Sequence, residues 1–253
     1  MKKLVVFNWK MNPSSFQKAK KLFDFSLKQS RKLSAHLSVV IAPPFVYLEH
    51  FFYLLNSKFK KEKGISLAAQ NVSFKNEGSF TGEISAKMLK DIGVSYVIVG
   101  HSERRYLFGE NDSLIAEKIK RAWENKITPI LCVGEKKRSS FSSAWSFVRK
   151  QIEKDLVFLK KREKNLVIAY EPVWSIGGNK PVDSLRASLM IEKIKSFLKE
   201  RFHLLLPVLY GGSVDCQKID DFLKYSQIDG FLVGSASLSL REIKCLLTKV
   251  DNF

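Results

Sequence analysis

The stretch NLVIAYEPVWSIGG, residues 165 to 178, carries a short apolar run to a single glutamate and follows it with proline, bulky apolar residues and two glycines. Leu166 to Tyr170 reads as a buried strand, because a short run with β-branched members, bounded by turn signals, fits a parallel strand covered on both faces. Pro172 has no N–H to give to a ladder, so the chain leaves the sheet there. Glu171 then stands at the strand's carboxyl end, its carboxylate facing an opening. Val173, Trp174 and Ile176 can cover a ligand and exclude water, while Gly177 and Gly178 permit close backbone approach. These residues fit a carboxylate base beneath a moving flap. They fit equally a strand-end glutamate that caps the next helix.

Outward from this stretch, β-like apolar runs recur at Leu4 to Phe7, Leu37 to Ala42, Ile65 to Ala69, Tyr96 to Val99, Ile127 to Val133, Leu205 to Tyr210 and Ile228 to Val233, eight in all with Leu166 to Tyr170. Between them lie stretches with helical spacing: Phe16 to Leu33, Leu114 to Trp123, Phe147 to Leu159, Leu185 to Leu198 and Ile219 to Tyr225. Such alternation specifies an α/β protein, and eight strand–helix units can close into a parallel (β/α)8 barrel that leaves no exposed edge. A doubly wound open sheet competes. It is disfavoured because the first strand-to-helix turn, NWKMNPSSF, lacks GxGxxG, and no Walker lysine occurs. No linker or repeat divides the chain, so residues 1 to 253 are expected to form one domain.

The chain's 253 residues and 45% apolar content suit a barrel of this kind. The apolar part of MKKLVVFNWK is too short for a signal-peptide core, and no run approaches a membrane span. Cys132, Cys216 and Cys245 are widely separated and form no CxxC pair, so a cytoplasmic, reducing setting is expected. The formal charge of +18 admits a polyanion partner or a solvated basic shell that draws in a small anionic substrate. Its basic residues form short scattered clusters, such as Lys18 to Lys21 and Lys136 to Arg138. No zinc-finger spacing, aromatic RNP-like run or basic zipper accompanies them, which favours the shell over specific nucleic-acid binding.

In a barrel, reactive groups gather at the strands' carboxyl ends. Here the ends carry Asn8 and Lys10, His101 and Glu103, Glu171, then Gly211, Gly212 and Ser213, and last Gly234 and Ser235. Lys10 offers a fixed positive charge. His101 precedes SERR, where a helix begins, and the positive end of a helix dipole favours neutral imidazole. The turns YGGS (210 to 213) and VGSAS (233 to 237) can cradle phosphate with backbone N–H groups. His36, His50 and His203 offer no metal-ligand spacing. The long loop NVSFKNEGSFTGE, residues 71 to 83, carries Phe74 and Phe80 and fits either a subunit contact or an Ω-like loop packed on its own chain.

Taken together, FNWKMN (7 to 12), FTGEIS (80 to 85), VGHSERR (99 to 105), FGE (108 to 110), CVGE (132 to 135), AYEPVWSIGG (169 to 178), YGGSV (210 to 214) and DGFLVGSASL (229 to 238) resemble the triosephosphate isomerase family, in family order over nearly the whole chain. The resemblance implies the TIM barrel and interconversion of dihydroxyacetone phosphate and glyceraldehyde 3-phosphate, with no cofactor or metal. Glu171 is then the proton shuttle and His101 the electrophile, with Lys10 and Asn8 holding the enediolate and Glu103 supporting the lysine. Gly177, Ser213, Gly234 and Ser235 are the implied phosphate ligands, through backbone N–H groups. Residues 172 to 182, including Lys180 and Pro181, are the implied lid. It further implies a homodimer in which Thr81, beside Phe80, braces a neighbouring subunit's site.

Three departures stand out. The lid reads Ile176, Gly177, Gly178, Asn179, Lys180, Pro181 where the family continues IGTGKT, and proline restricts its trailing hinge. Ser235 replaces a usual glycine, so a positive φ there would be costly. The high charge is not a family requirement. Two other readings compete: a Schiff-base aldolase, which the glutamate at the end of strand six disfavours, and a basic barrel that holds a polyanion.

Overall fold

The computed structural model describes residues 3–56, 65–159, 165–175 and 182–253. Eight parallel strands, β1 (Lys3–Asn8), β2 (Leu37–Ala42), β3 (Ile65–Ala69), β4 (Tyr96–Val99), β5 (Thr128–Val133), β6 (Val167–Tyr170), β7 (Val208–Tyr210) and β8 (Gly230–Val233), pair in chain order and close into a barrel. Closure is made by β1, where Phe7 lies opposite Ile41 of β2 on one side and Val233 of β8 on the other. The helices between and after them are α1 (Phe16–Ser30), α2 (Phe45–Leu55), α3 (Ala86–Asp91), α4 (Ser102–Leu107), α5 (Asp112–Glu124), α6 (Phe141–Asp155), α7 (Ser184–Phe202), α8 (Ile219–Leu223) and α9 (Leu240–Asp251).

The period of two along each strand sorts side chains into separate cores. Leu4 and Val6, Ile130 and Cys132, Val167 and Ala169, and Leu209 belong to a cluster enclosed by the sheet. Their neighbours Val5, Phe7, Leu131, Val133, Ile168, Tyr170, Val208 and Tyr210 pack outward with the helices. Burial of both faces is why these strands read as unbroken apolar runs. The same alternation aims the site. Asn8 is in step with Leu4 and Val6, Glu171 with Val167 and Ala169, and Gly211 with Leu209, so all three continue the inner face beyond the strand ends.

Element ends differ from the sequence reading for identifiable reasons. The seventh strand begins at Val208, not Leu205, since Pro207 lacks a ladder N–H. The sixth helix runs from Phe141 to Asp155, and not from Phe147 to Leu159, because the Ser140 hydroxyl caps it by accepting from Ser143 N at 3.2 Å. Helices α2, α3 and α9 fill places where the alternation called for a helix but no bounds were read. The first is apolar on most sides, which blurs the helical period, and α3 is a six-residue turn capped by Ser85. No helix among the described residues is long and apolar enough to cross a membrane.

Arg105 ties the barrel to its outer helices. Its guanidinium donates to Asp112 Oδ1 of α5 (2.8 Å), Asp155 Oδ2 of α6 (2.5 Å), and the carbonyls of Gly100 (2.7 Å) and Cys132 (3.2 Å). Both acids and the turn that carries His101 are thereby fixed to one planar group. Lys118 does a similar job at the base of the long loop, donating to Asn71 Oδ1 at 2.8 Å and Glu110 Oε1 at 2.5 Å. Within that loop Phe74 packs edge to face on Phe80 with ring centroids 5.7 Å apart, and Phe74 is only half-buried while Phe80 is exposed.

The cysteines correct the sequence reading, which found no basis for a pair. Cys216 and Cys245 are joined by a disulfide between the turn after β7 and helix α9, with Cα atoms 5.8 Å apart. A separation of 29 residues carries no spacing signal, so only the fold brings them together. Cys132 is free and buried.

Candidate active site

Asn8, Lys10, His101, Glu171, Ser213, Gly234 and Ser235 line one cavity of about 610 Å³ at the carboxyl ends of the strands. The sequence reading drew these residues from five strands, and the barrel brings them to a single opening. Glu103 lies at its margin, in a side recess with Asn8, Lys10 and His101. Pro172, Val173 and Trp174 are placed directly after Glu171, the last two in a 3-10 turn over Val173–Ser175. Ile176, Gly177, Lys180 and Pro181 lie outside the described residues. Phe80 and Thr81 are exposed on the long loop and do not line the cavity.

Glu171 is 2% exposed, although its carboxylate borders the cavity. Its backbone continues the sheet by donating to Val133 O at 2.8 Å, and Oε2 accepts from Ser102 N at 3.2 Å. The opposite oxygen, Oε1, lies 3.5 Å from His101 Nε2. Two glycines make this placement possible. A Cβ on Gly134 would collide with the Glu171 carbonyl, and one on Gly211 would lie 2.9 Å from Glu171 Cγ. Behind the carboxylate sits Cys132, whose thiol is pushed well up first by burial and then by the Glu171 charge. It stays protonated and unreactive.

The tautomer of His101 follows from its hydrogen bond. Nδ1 accepts the Glu103 backbone N–H at 3.2 Å, so it carries no proton, and the ring's one N–H is on Nε2, the nitrogen that lies 3.5 Å from Glu171 Oε1. Glu103 Oε2 lies 3.6 Å from the same Nδ1, too far to compete. The imidazole is therefore a neutral donor at the wall of the cavity.

Lys10 holds its ammonium at the cavity through an unusual backbone. Its φ of 54° is left-handed, a conformation that lysine adopts only when neighbours enforce it. The enforcement is visible: Lys10 N donates to Asn8 Oδ1 at 3.0 Å and Lys10 O accepts from Gln70 Nε2 at 2.8 Å. Glu103 Oε1 then takes the ammonium at 2.6 Å. Asn8 thus serves the site through Lys10's backbone as well as by lining the cavity.

On the far side, the Ser213 hydroxyl donates to Ser175 O at 2.9 Å, linking the turn after β7 to the 3-10 turn that follows Glu171. The N–H groups of Ser213, Gly234 and Ser235 make no hydrogen bond to any described residue. Among the described residues with positive φ, Ser235 is absent, so the serine carries none of the strain that a left-handed conformation would impose.

Sequence reasoning missed Gln70, Ser102 and Glu135. Gln70 and Glu135 follow strands three and five, and their polarity at strand ends was the available signal. Glu135 is 3% exposed and accepts from Tyr170 Oη at 3.1 Å and from Trp174 Nε1 at 2.8 Å, while its carbonyl accepts from Val173 N at 3.1 Å. Arg138 adds its guanidinium over the Trp174 ring, 5.4 Å from the centroid. Ser102 acts only through its N–H, which no side-chain pattern discloses.

An inward carboxylate facing a neutral imidazole N–H, with a fixed ammonium and orphaned backbone donors around one cavity, defines a barrel enzyme equipped for proton transfer on a small anionic substrate. The family profile described as triosephosphate isomerase matches residues 3–250. The triosephosphate isomerase of Trichodesmium erythraeum is 41% identical over 239 residues, covering 94% of this chain and 95% of that protein. That of Buchnera aphidicola subsp. Schizaphis graminum is 38% identical over 258 residues, covering 100% and 99%. The chain belongs to the triosephosphate isomerase family and is an isomerase.

Proposed function

We propose that this chain interconverts dihydroxyacetone phosphate and D-glyceraldehyde 3-phosphate, the glycolytic and gluconeogenic isomerisation, with Glu171 as the base and His101 as the electrophile. The observation that carries the assignment is the 3.5 Å approach of Glu171 Oε1 to His101 Nε2 across one wall of a single cavity. A triose bound there has its carbonyl oxygen within reach of the imidazole N–H and an adjacent carbon within reach of the carboxylate. Glu171 takes the proton from that carbon, the electron pair moves to the oxygen, and an enediolate forms. His101 Nε2 gives its proton to that oxygen and takes one from the neighbouring hydroxyl, and return of the carbon-bound proton to the neighbouring carbon completes the isomerisation. This family is the well-known case of a glutamate base paired with a neutral histidine.

Lys10 stabilises the oxygen's developing negative charge, and Glu103 keeps its ammonium in place. The phosphate is held by the N–H groups of Ser213, Gly234 and Ser235, and by Gly177. Three of these donors have no partner in the described protein, as an anion site requires. Pro172, Val173, Trp174, Ile176, Lys180 and Pro181 form the lid that excludes water. No cofactor or metal takes part in this scheme.

Residues 1–253 act in this reading as one catalytic domain, and two copies pair through the 71–83 loop, with Phe80 and Thr81 reaching the neighbour. The exposure of Phe80 and Thr81 supports that pairing. The setting in this reading is cytoplasmic. The excess charge attracts anionic substrate and solvates the surface. A coupled assay in both directions tests the reaction. Turnover with solvent deuterium appearing at the reacting carbon is expected, and no isomerisation at catalytic protein concentrations would refute it.

A further inference from the structure

Three serines line the cavity, Ser213, Ser235 and Ser239, and their hydroxyls are used differently. Ser213 Oγ donates to Ser175 O at 2.9 Å. Ser239 Oγ caps helix α9 by accepting from Glu242 N at 3.4 Å. The neighbouring Ser237, buried behind the wall, spends its hydroxyl on Gly234 O at 2.5 Å. Ser235 is exposed to the cavity, and its hydroxyl has no hydrogen-bond partner among the described residues.

We infer that the Ser235 hydroxyl is an additional donor to the substrate's phosphate, a contact that the usual glycine at this position cannot make. The inference rests on the phosphate placement proposed above. It is supported by what surrounds the residue. A Cβ on the adjacent Gly234 would lie 3.5 Å from Lys10 Cε and 3.9 Å from Lys10 Nζ, so this turn stands beside the site's ammonium. Ser213 and Gly234 complete the same wall with unpartnered N–H groups. A free hydroxyl among these groups has donors and a cation for neighbours, and a phosphate oxygen satisfies it. The serine makes this contact without a left-handed backbone. Because the phosphate does not change during the reaction, the contact is equal in ground and transition states and acts on binding.

The test compares wild type with Ser235→Ala, which keeps the Cβ, and Ser235→Gly, which removes it. Inorganic phosphate is titrated calorimetrically, and its inhibition constant and the KM for both trioses are measured. Both variants are expected to weaken phosphate binding and raise KM by about tenfold to a hundredfold, the range for losing one hydrogen bond to a charged group, with the loss in KM rather than kcat. Phosphate affinity in Ser235→Ala equal to wild type would overturn the inference while leaving the isomerase reading intact. So would a weakened Ser235→Ala with a wild-type-like Ser235→Gly, which would assign the effect to the Cβ. A wild type that binds no phosphate and does not isomerise the trioses would overturn both readings together.

Discussion

Glu171 reaches the cavity because Gly211, on the neighbouring strand's end, has no side chain: a Cβ there would lie 2.9 Å from Glu171 Cγ. The two residues are 40 apart in sequence, yet Gly211 N donates to Tyr170 O at 2.8 Å, so the strands hold them in register. Gly211→Ala should therefore displace the base while leaving the fold in place. Kinetics should show kcat reduced by about 10²-fold, the cost of misplacing a reacting group by about an ångström. A kcat within threefold of wild type would show that the glycine is not what positions the carboxylate.

Arg105 satisfies two acids and two carbonyls from within the barrel's flank. Arg105→Met fills similar space but leaves Asp155 buried without its cation. A destabilisation of about 3 to 5 kcal/mol is expected in urea unfolding, as for other broken buried pairs. An unchanged midpoint would mean that the pair contributes nothing net.

Cys132 is fully enclosed, and its thiol is shifted upward by burial and by the Glu171 charge. In a Cys216→Ser/Cys245→Ser variant it is the sole thiol. The native variant should consume no alkylating reagent at pH 8, and the unfolded one a single equivalent, since thiolate and access are both required. Fast alkylation of the native protein would contradict the burial.

Thr81 is exposed and makes no hydrogen bond within the described chain. In the proposed dimer it is covered by the neighbour, so Thr81→Arg should shift sedimentation from dimer to monomer and lower activity in parallel. A wild type that is monomeric and fully active at every concentration would remove the bracing role.

Much of this architecture was legible because a parallel barrel buries both faces of its strands, which makes each a short uninterrupted apolar run. The parity that aims Glu171 inward, after Val167 and Ala169, emerged only with the closed barrel, because both faces of its strands are apolar. What escaped depends on distances between segments far apart in the chain. Ser102 N meets Glu171 across 69 residues, and Cys216 meets Cys245 only after α9 packs beside the turn following β7. Gln70 and Glu135 were visible as polar residues at strand ends. Nothing in their own neighbourhood distinguished a group that fixes Lys10 or Trp174 from one that faces solvent.

The central claim, that Glu171 is the base in a cavity it shares with His101, is tested most directly by the kcat of Glu171→Gln, which keeps the side chain's shape and removes its basicity. The account predicts a loss of at least about 10²-fold in both directions, with inorganic phosphate bound as tightly as in wild type. Near-wild-type turnover in that variant would contradict it.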